Sequence, residues 1–224
     1  MGFFKKKEAE INALEQFLSS EPDLSGLEEN ISKGIIELRY NQHHSSNGLL
    51  ITTDGYFLTA MHCVRKIPES IRLYNGREYG ITKVCTTGKK EDIALVKADI
   101  PGKCSHLSYK FSSEIHEKDV VAMLTRREGK LKYKYGFVFS EYNIAMTKTR
   151  DGKVYMYPNQ FVVRIEGVPG DSGGLVLDKQ KRILGITSGG YGDEFLEVAS
   201  IVKIDDALKL VEFYKERLKK RILH

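Results

Sequence analysis

Short apolar runs of strand length, separated by turn residues, follow one another from Gly34 almost to the end of the chain. Runs of this length, rich in β-branched and aromatic residues, predict strands. The pairs Asp54-Gly55 and Asn75-Gly76 are strong signals for hairpin turns. Many short strands at even spacing predict barrels or sandwiches, so an all-β fold is expected. The runs include IIELRY, GLLITTDGYFLTA, SIRLYNGREYGITKV, DIALVKA, VVAMLT, LKYKYGFVFSEYN, KVYMYPNQFVVRIEG and GGLVLDKQKRILGITSGG.

Helical patterns occur only at the two ends of the chain. Residues 5–18 predict an amphipathic helix, and the polar stretch 23–30 that follows is expected to be a connector. Three roles stay open for this helix: docking on the strands, self-association, or membrane contact through the phenylalanines and lysines at its start, which is the least expected. Its apolar side consists of Ile11, Leu14, Phe17 and Leu18.

A second helix is predicted at the C-terminus. Asp205 is of a residue type that commonly caps a helix N-terminus, and apolar residues recur behind it at helical spacing. We expect this apolar face to pack on the strands of the second half, with lysines and arginines outside. The face consists of Ala207, Leu210, Val211, Tyr214 and Leu218.

The composition is that of an ordinary globular protein, with 224 residues, 41% hydrophobic and 29% charged. No apolar run is long enough to span a membrane, and the N-terminus lacks the apolar region of a secretory signal, so a cytoplasmic location is expected. The net charge of +5 comes mainly from basic runs at 5–7, 126–134 and 219–221. We interpret these runs as solvated faces and expect no nucleic-acid partner.

The cysteines give no sign of a metal site or a disulfide scaffold. Cys63, Cys85 and Cys104 are odd in number, and no CxxC pair or Cys/His cluster occurs. We expect reduced, buried thiols, and neither a metal nor another cofactor.

The stretch GVPGDSGGLVL, residues 167–177, crowds four glycines around Asp171 and Ser172 before an apolar run. Glycine permits strained backbone and close approach of a ligand. One interpretation is that Ser172 is a nucleophile with backbone N–H groups directed at its target. The alternative is an ordinary tight loop between strands.

A serine nucleophile needs a general base, and histidine suits that role near neutral pH. His62 closes the apolar run YFLTAMHCV and is therefore expected at the end of a strand, where a rigid element exposes its last side chain. The alternative is that His62 is a core histidine whose ring nitrogens have hydrogen-bond partners and which has no catalytic role. The other five histidines stand in polar, irregular or terminal stretches: His43, His44, His106, His116 and His224.

The base in turn needs an orienting carboxylate. Asp92 opens DIALVKA, so it borders a buried strand, is poorly hydrated, and should accept a donor such as an imidazole N–H. The alternative is that Asp92 only marks the start of that strand. Other acids lie in more polar settings: Glu91, Asp99, Asp119 and Asp151.

LTAMHC, DIALV and GDSGG resemble the histidine, aspartate and serine motifs of the trypsin-like serine proteases, and they occur in the family order. The candidate residues lie 30 and 80 residues apart, which suits that family. GITSGGYG, residues 185–192, is similar to the strand that lines the family's substrate cleft.

Within that family, the HtrA (Deg) branch is the more similar one. SNGLLITTDGYFLTAMHCV resembles its stretch from the first hairpin to the histidine. Two features depart from that branch. Asp171 stands where those proteases usually carry Asn, and the chain ends soon after the terminal helix, so no PDZ domain and no cage assembly are expected.

The resemblance implies a chymotrypsin-like double barrel: two antiparallel six-stranded β-barrels with the active site between them, flanked here by short terminal helices. We place the first barrel at 31–104 and the second at 119–204, joined by a linker at 105–118. The N-terminal helix and connector occupy 1–30, and the C-terminal helix occupies 205–224.

The resemblance also implies a role for each motif residue. His62 would take the proton of Ser172 and return it to the leaving amine, while Asp92 orients the imidazole. The N–H groups of Gly170 and Ser172 would form the oxyanion hole. A polypeptide substrate would pair as a strand with Ser188, Gly189 and Gly190.

Two further features bear on substrate specificity and on activation. Counting back from Ser172 without a gap, Glu166 falls at the base of the family's primary pocket, where an acid would favour Lys or Arg before the scissile bond; the alternative is that Glu166 faces solvent. Digestive relatives pair a freshly cut N-terminus with the acid at the position of Asp171. KGIIEL, residues 33–38, lacks the usual flanking pattern, so we predict that the full chain is active, or is switched by ordering of loops, without processing.

The leading hypothesis is therefore a serine endopeptidase. Two alternatives stay open. The first is a catalytically silent module that uses the double barrel for binding. The second is an esterase-like serine hydrolase, because a triad and an oxyanion hole act on esters as well as amides.

Overall fold

The computed structural model describes residues 2–19, 27–41, 44–102, 105–148, 154–193 and 196–221. Strands dominate, with helices at both ends. The helices are α1 (Gly2–Ser19), α2 (Leu27–Gly34) and α3 (Ile204–Lys220). The strands of the first half are β1 (Ile35–Asn41), β2 (His44–Leu50), β3 (Tyr56–Ala60), β4 (Ser70–Arg72), β5 (Glu78–Gly88) and β6 (Ile93–Ala98). Those of the second half are β7 (Val120–Arg127), β8 (Lys130–Lys148), β9 (Val154–Arg164), β10 (Leu175–Leu177), β11 (Ile183–Asp193) and β12 (Leu196–Lys203).

The strands close into two antiparallel barrels of six strands each. The first has the order β1-β2-β3-β6-β5-β4, and the second has the order β10-β11-β12-β9-β8-β7. This confirms the predicted chymotrypsin-like double barrel. The hairpin signals are also confirmed, because Gly55 and Gly76 take positive φ angles of 109° and 80°.

The core extends beyond the interiors of the barrels. In β6, Ala94 and Val96 face the interior of the first barrel, while Ile93 and Leu95 belong to a second cluster on its outer side. That second cluster joins both barrels to the terminal helices. β6 is therefore buried on both faces, which explains why IALVKA reads as a continuous apolar run.

Helix α1 docks on the rest of the molecule. Its residues Leu14 and Phe17 are fully buried, and the Phe17 ring meets Tyr109 edge-on with centroids 6.4 Å apart. An ion pair of 2.5 Å joins Glu15 to Lys219 of α3. Docking is thus the role that the structure supports among the three. The side chains of the first phenylalanines lie outside the described residues.

Helix α3 differs from the expectation in two ways. It begins at Ile204 behind Lys203, without a side-chain cap, and Asp205 instead accepts a hydrogen bond of 2.7 Å from Ser113. The predicted N-cap is wrong, because the buried Ile204 already belongs to the helix. Its apolar face also packs on α1 and on both barrels, not on the second barrel alone, as the contact of Tyr214 with Tyr56 shows.

Two further expectations are corrected. Helix α2 begins at Leu27, so part of the expected connector 23–30 is helical. The helix is held in place because its residue Ile31 is buried in the shared core. Arg126, expected on a solvated basic face, is only 4% exposed. Its guanidinium donates to the carbonyls of Ser32, Ile35 and Gly129 at 2.6, 2.9 and 2.7 Å. These carbonyls lie where α2 passes into β1 and at a turn, so they need a donor from elsewhere.

Within the described ranges, no helix is both long and apolar enough to cross a bilayer.

Candidate active site

His62 is presented by a short 3₁₀ turn, Met61–Val64, that follows directly on β3. The carboxylate of Asp92 holds this histidine at two points. One oxygen, Oδ2, lies 2.7 Å from the ring Nδ1, and the other accepts the backbone N–H of His62 at 3.0 Å. This pairing fixes the orientation of the ring and leaves Nε2 outside the contact with Asp92.

Asp92 is fully buried just before β6 and has a φ angle of 60°, in the left-handed region. A non-glycine residue stays there only when its surroundings hold it. After the ring and the backbone N–H of His62, a third donor that holds Asp92 comes from the other barrel. The hydroxyl of Ser188, which is itself fully buried, donates to Oδ2 at 2.5 Å. A buried carboxylate with three donors is well compensated.

The pKa of His62 is raised above its ordinary value. Burial alone lowers this pKa, but the contacts with Cys63 and with the Asp92 carboxylate outweigh burial. The thiol of Cys63 lies 3.6 Å from Nε2, on the side of the ring that faces away from Asp92.

The backbone around Ser172 adopts a conformation that requires glycine. The loop turns at Val168, whose carbonyl accepts the N–H of Asp171 at 3.1 Å, with Gly170 at a φ angle of 103°. Gly173 has a φ angle of 81°, and a Cβ added there would lie 1.8 Å from the carbonyl oxygen of Asn47. Only glycine permits this approach of the two backbones.

Asn47 of β2 ties the serine loop to the first barrel. Its N–H donates to the carbonyl of Ser172 at 2.7 Å, and its side-chain amide donates to the carbonyl of Gly170 at 2.8 Å. Its side-chain oxygen accepts the N–H of Arg126 at 2.6 Å. Sequence reasoning missed this residue, since a single asparagine at the end of the polar stretch HSSN carries no local signal of such a role.

His62 and Ser172 line the same cavity, which has a volume of about 380 Å³. The structure thus brings together His62 and Asp92 of the first barrel and Ser172 of the second. Among the described residues, no hydrogen bond joins Nε2 to the Ser172 hydroxyl; such bonds often tighten only when substrate is bound. The other lining residues are Tyr40, His44, Ser45, Ser46, Cys63, Lys66 and Gly170.

The N–H groups of Gly170 and Ser172 donate to no other group within the described part of the chain. Ser188 directs its side chain at Asp92, so only its backbone remains for a substrate. Ser188, Gly189 and Gly190 belong to β11. On one side β11 pairs with β12, including Gly189 with Ser200 and Gly190 with Ala199, whereas on the other side β10 pairs with β11 only up to Ile186. One edge of β11 is therefore open there among the described strands.

The remaining candidates lie elsewhere. The side chain of Glu166 is exposed and does not line the cavity. His106 contacts Gln16 at 3.1 Å, and His116 lies 3.8 Å from Glu141. The described residues contain no group of three or more His, Cys, Asp or Glu side chains that could hold a metal. His43, Cys104, Asp151 and His224 lie outside the described residues.

Two closed six-stranded barrels, with a His–Asp pair on one and a glycine-bounded serine on the other, define a chymotrypsin-like protein. The sequence model of the trypsin-like peptidase domain matches residues 46–186, which is more than half of the chain and spans all three motifs. The chain belongs to this family. It is therefore a peptidase by family, and its substrates are polypeptides. A comparison with curated proteins finds no significant match.

Proposed function

We propose that the protein is a serine endopeptidase that uses Ser172 as nucleophile, His62 as general base and acid, and Asp92 as the orienting carboxylate. The observation that carries this proposal is the two-point pairing of His62 with buried Asp92 beside a cavity that Ser172 also lines. A base held in one orientation next to a hydroxyl is the arrangement that activates serine.

The reaction proceeds in two halves. The oxygen of Ser172 attacks the scissile carbonyl while Nε2 of His62 takes the hydroxyl proton, and the N–H groups of Gly170 and Ser172 stabilise the oxyanion. His62 then protonates the leaving amine, the C–N bond breaks, and an acyl-enzyme remains. A water molecule then gives a proton to His62 and attacks the acyl carbonyl. The bond between that carbonyl and the Ser172 oxygen breaks, the acid leaves, and His62 returns the proton to the Ser172 oxygen.

The open edge of β11 supports a role in binding peptide. An extended chain adds to such an edge through backbone hydrogen bonds at Ser188, Gly189 and Gly190, which favours peptides over simple esters. The side chain of Ser188 takes no part in this, since it contacts Asp92.

Glu166 remains a candidate for basic specificity. Its exposure favours the alternative that it faces solvent. Cleavage of matched peptides with Arg, Leu or Val before the scissile bond decides between the two. Equal or faster cleavage after Leu or Val eliminates Glu166 as a specificity residue.

We further propose that the chain is an HtrA-like member of the family and works in a reducing, cytoplasmic compartment. The stretch 46–64 carries the likeness to that branch. Cys63 and Cys85 are free thiols in the structure, which supports a reducing location.

Cleavage profiling on a complex peptide library tests the proposed function. The wild-type chain should cut internal peptide bonds, and Ser172→Ala, folded to the same extent, should leave the library intact. A wild-type chain that hydrolyses only activated esters indicates the esterase alternative. A folded wild-type chain that cleaves neither substrate is the silent binding module.

A further inference from the structure

The segment Val168–Asp171, here called the oxyanion turn, carries one of the two N–H groups proposed to stabilise the oxyanion and precedes the other. Its last residue, Asp171, is only 5% exposed. The Asp171 carboxylate bends back to accept the N–H of Val168 at 2.9 Å, while its own N–H donates to the carbonyl of Val168 at 3.1 Å. The shape of the turn therefore depends on where this carboxylate lies.

Lys134 of β8 holds that carboxylate. Its ammonium lies 2.7 Å from Oδ2 of Asp171 and also donates to the carbonyl of Glu166 at 2.9 Å. Both side chains are largely withdrawn from water, at 23% and 8% exposure. A buried carboxylate requires a partner of opposite charge, and within the described chain Lys134 supplies the ion pair.

The same hairpin contacts the turn a second time. Arg127, the last residue of β7, donates from its guanidinium to the carbonyl of Pro169. The hairpin β7–β8 thus contacts the oxyanion turn at Pro169 and Asp171, on both sides of Gly170. Gly170 has no side chain to obstruct this, and a Cβ there would lie 2.6 Å from the Arg127 guanidinium.

We propose that Lys134 is a positioning residue that holds the oxyanion turn in its catalytic shape. The proposal rests on the proposed function. It adds that the positive charge paired with Asp171 comes from a lysine side chain of the folded chain and not from a freshly cut N-terminus. It also supports the prediction that the chain needs no processing near Gly34. Ile35 is fully buried in β1, paired with Leu49, and its carbonyl accepts Arg126, so a cut there would leave the new end locked in the barrel.

The test compares Lys134→Met with Lys132→Met, a matched loss of an exposed lysine from the same strand. Losing an oxyanion donor typically costs on the order of 10²–10³ in turnover, so Lys134→Met should lower kcat by about 10²-fold with little change in KM. Lys132→Met should retain the wild-type kcat. Lys134→Arg, which keeps the charge, should recover at least about a tenth of wild-type kcat.

A second readout separates positioning from general stability. A peptide boronate forms a tetrahedral adduct that occupies the oxyanion hole, so Lys134→Met should weaken its binding by the same factor as it lowers kcat/KM. Thermal melting checks folding, and Lys134→Gln replaces Lys134→Met if that variant does not fold.

A folded Lys134→Met or Lys134→Gln chain with the kcat and boronate affinity of Lys132→Met would overturn the proposal and leave the proposed function intact. A wild-type chain whose peptide cleavage survives Ser172→Ala would instead overturn the proposed function. Activity of the wild type that appears only after a cut near Gly34 would contradict the proposal that Lys134 supplies the positive charge for Asp171.

Discussion

Asp92 is the residue of the candidate site that receives hydrogen bonds from both His62 and Ser188. It is an acidic residue that is fully buried and has a φ angle in the left-handed region, and it receives hydrogen bonds from its own barrel and from the other one. Ser188 is the donor that crosses between the barrels. Its hydroxyl both satisfies Oδ2 and links the position of the carboxylate to strand β11.

Removal of that hydroxyl should therefore cost stability. Ser188→Ala should lower the free energy of unfolding by about 1.5–3 kcal/mol, the range for a hydrogen bond to a charged group. Ser200→Ala is the matched control, since Ser200 is also buried but its hydroxyl has no partner in the described structure. Urea unfolding at neutral pH measures both, and equal stability of the two variants would contradict the role of Ser188.

The raised pKa of His62 predicts the pH dependence of turnover. A protonated His62 cannot accept the Ser172 proton, so activity should be low in acid and rise as pH passes through a pKa above the ordinary histidine value. Cys63 is one cause of the increase. Cys63→Ala should therefore move the rise in kcat/KM to lower pH, by about half a unit or more.

Cys85→Ala provides the control for that profile, because Cys85 is also a free cysteine but has no contact with His62 among the described residues. It should leave the midpoint unchanged. A Cys63→Ala profile that coincides with the wild type, or moves to higher pH, would show that the thiol does not raise the pKa of His62.

At the level of elements, the serine loop depends on a close contact with strand β2. The carbonyl of Asn47 accepts the Thr59 hydroxyl at 2.6 Å, while its N–H and amide group bind the loop. Gly173 lies against this carbonyl in a conformation that side chains disfavour. The loop and the strand can therefore meet only if position 173 has no side chain.

Gly173→Ala should destabilise the protein by about 3 kcal/mol or more, since it combines a backbone clash with a positive φ angle. The control is Gly80→Ala on β5, where an added Cβ meets nothing within 4 Å. That change should stay within about 0.5 kcal/mol. Thermal and urea unfolding measure both; similar stability of the two variants would contradict the described contact.

On the scale of the whole molecule, the candidate site exists only because the two barrels are held against each other. The first barrel contributes His62 and Asp92, and the second contributes Ser172 and Ser188. Asn47, Arg126 and Ser188 are among the residues that form polar contacts between the barrels, and the terminal helices cover the shared apolar core.

The double barrel could be predicted from the sequence, because strand-length runs, hairpin glycines and the order of three motifs are local signals. The partners of those motifs could not. Asn47, Ser188 and Lys134 reach their targets 123, 96 and 37 residues away along the chain, and only the closed barrels bring them close. The helix α2 was missed for the same reason, since the buried contacts of Ile31 come from distant strands.

The central claim is that the Ser172 oxygen becomes a nucleophile with His62 as its base. Mass spectrometry of the protein treated with a fluorophosphonate tests it directly. The wild type should gain one adduct, on the peptide that contains Ser172, while Ser172→Ala gains none and His62→Ala reacts at least about 10²-fold more slowly. A folded wild-type chain that gains no adduct, or a Ser172→Ala chain labelled as fast as the wild type, would contradict the claim.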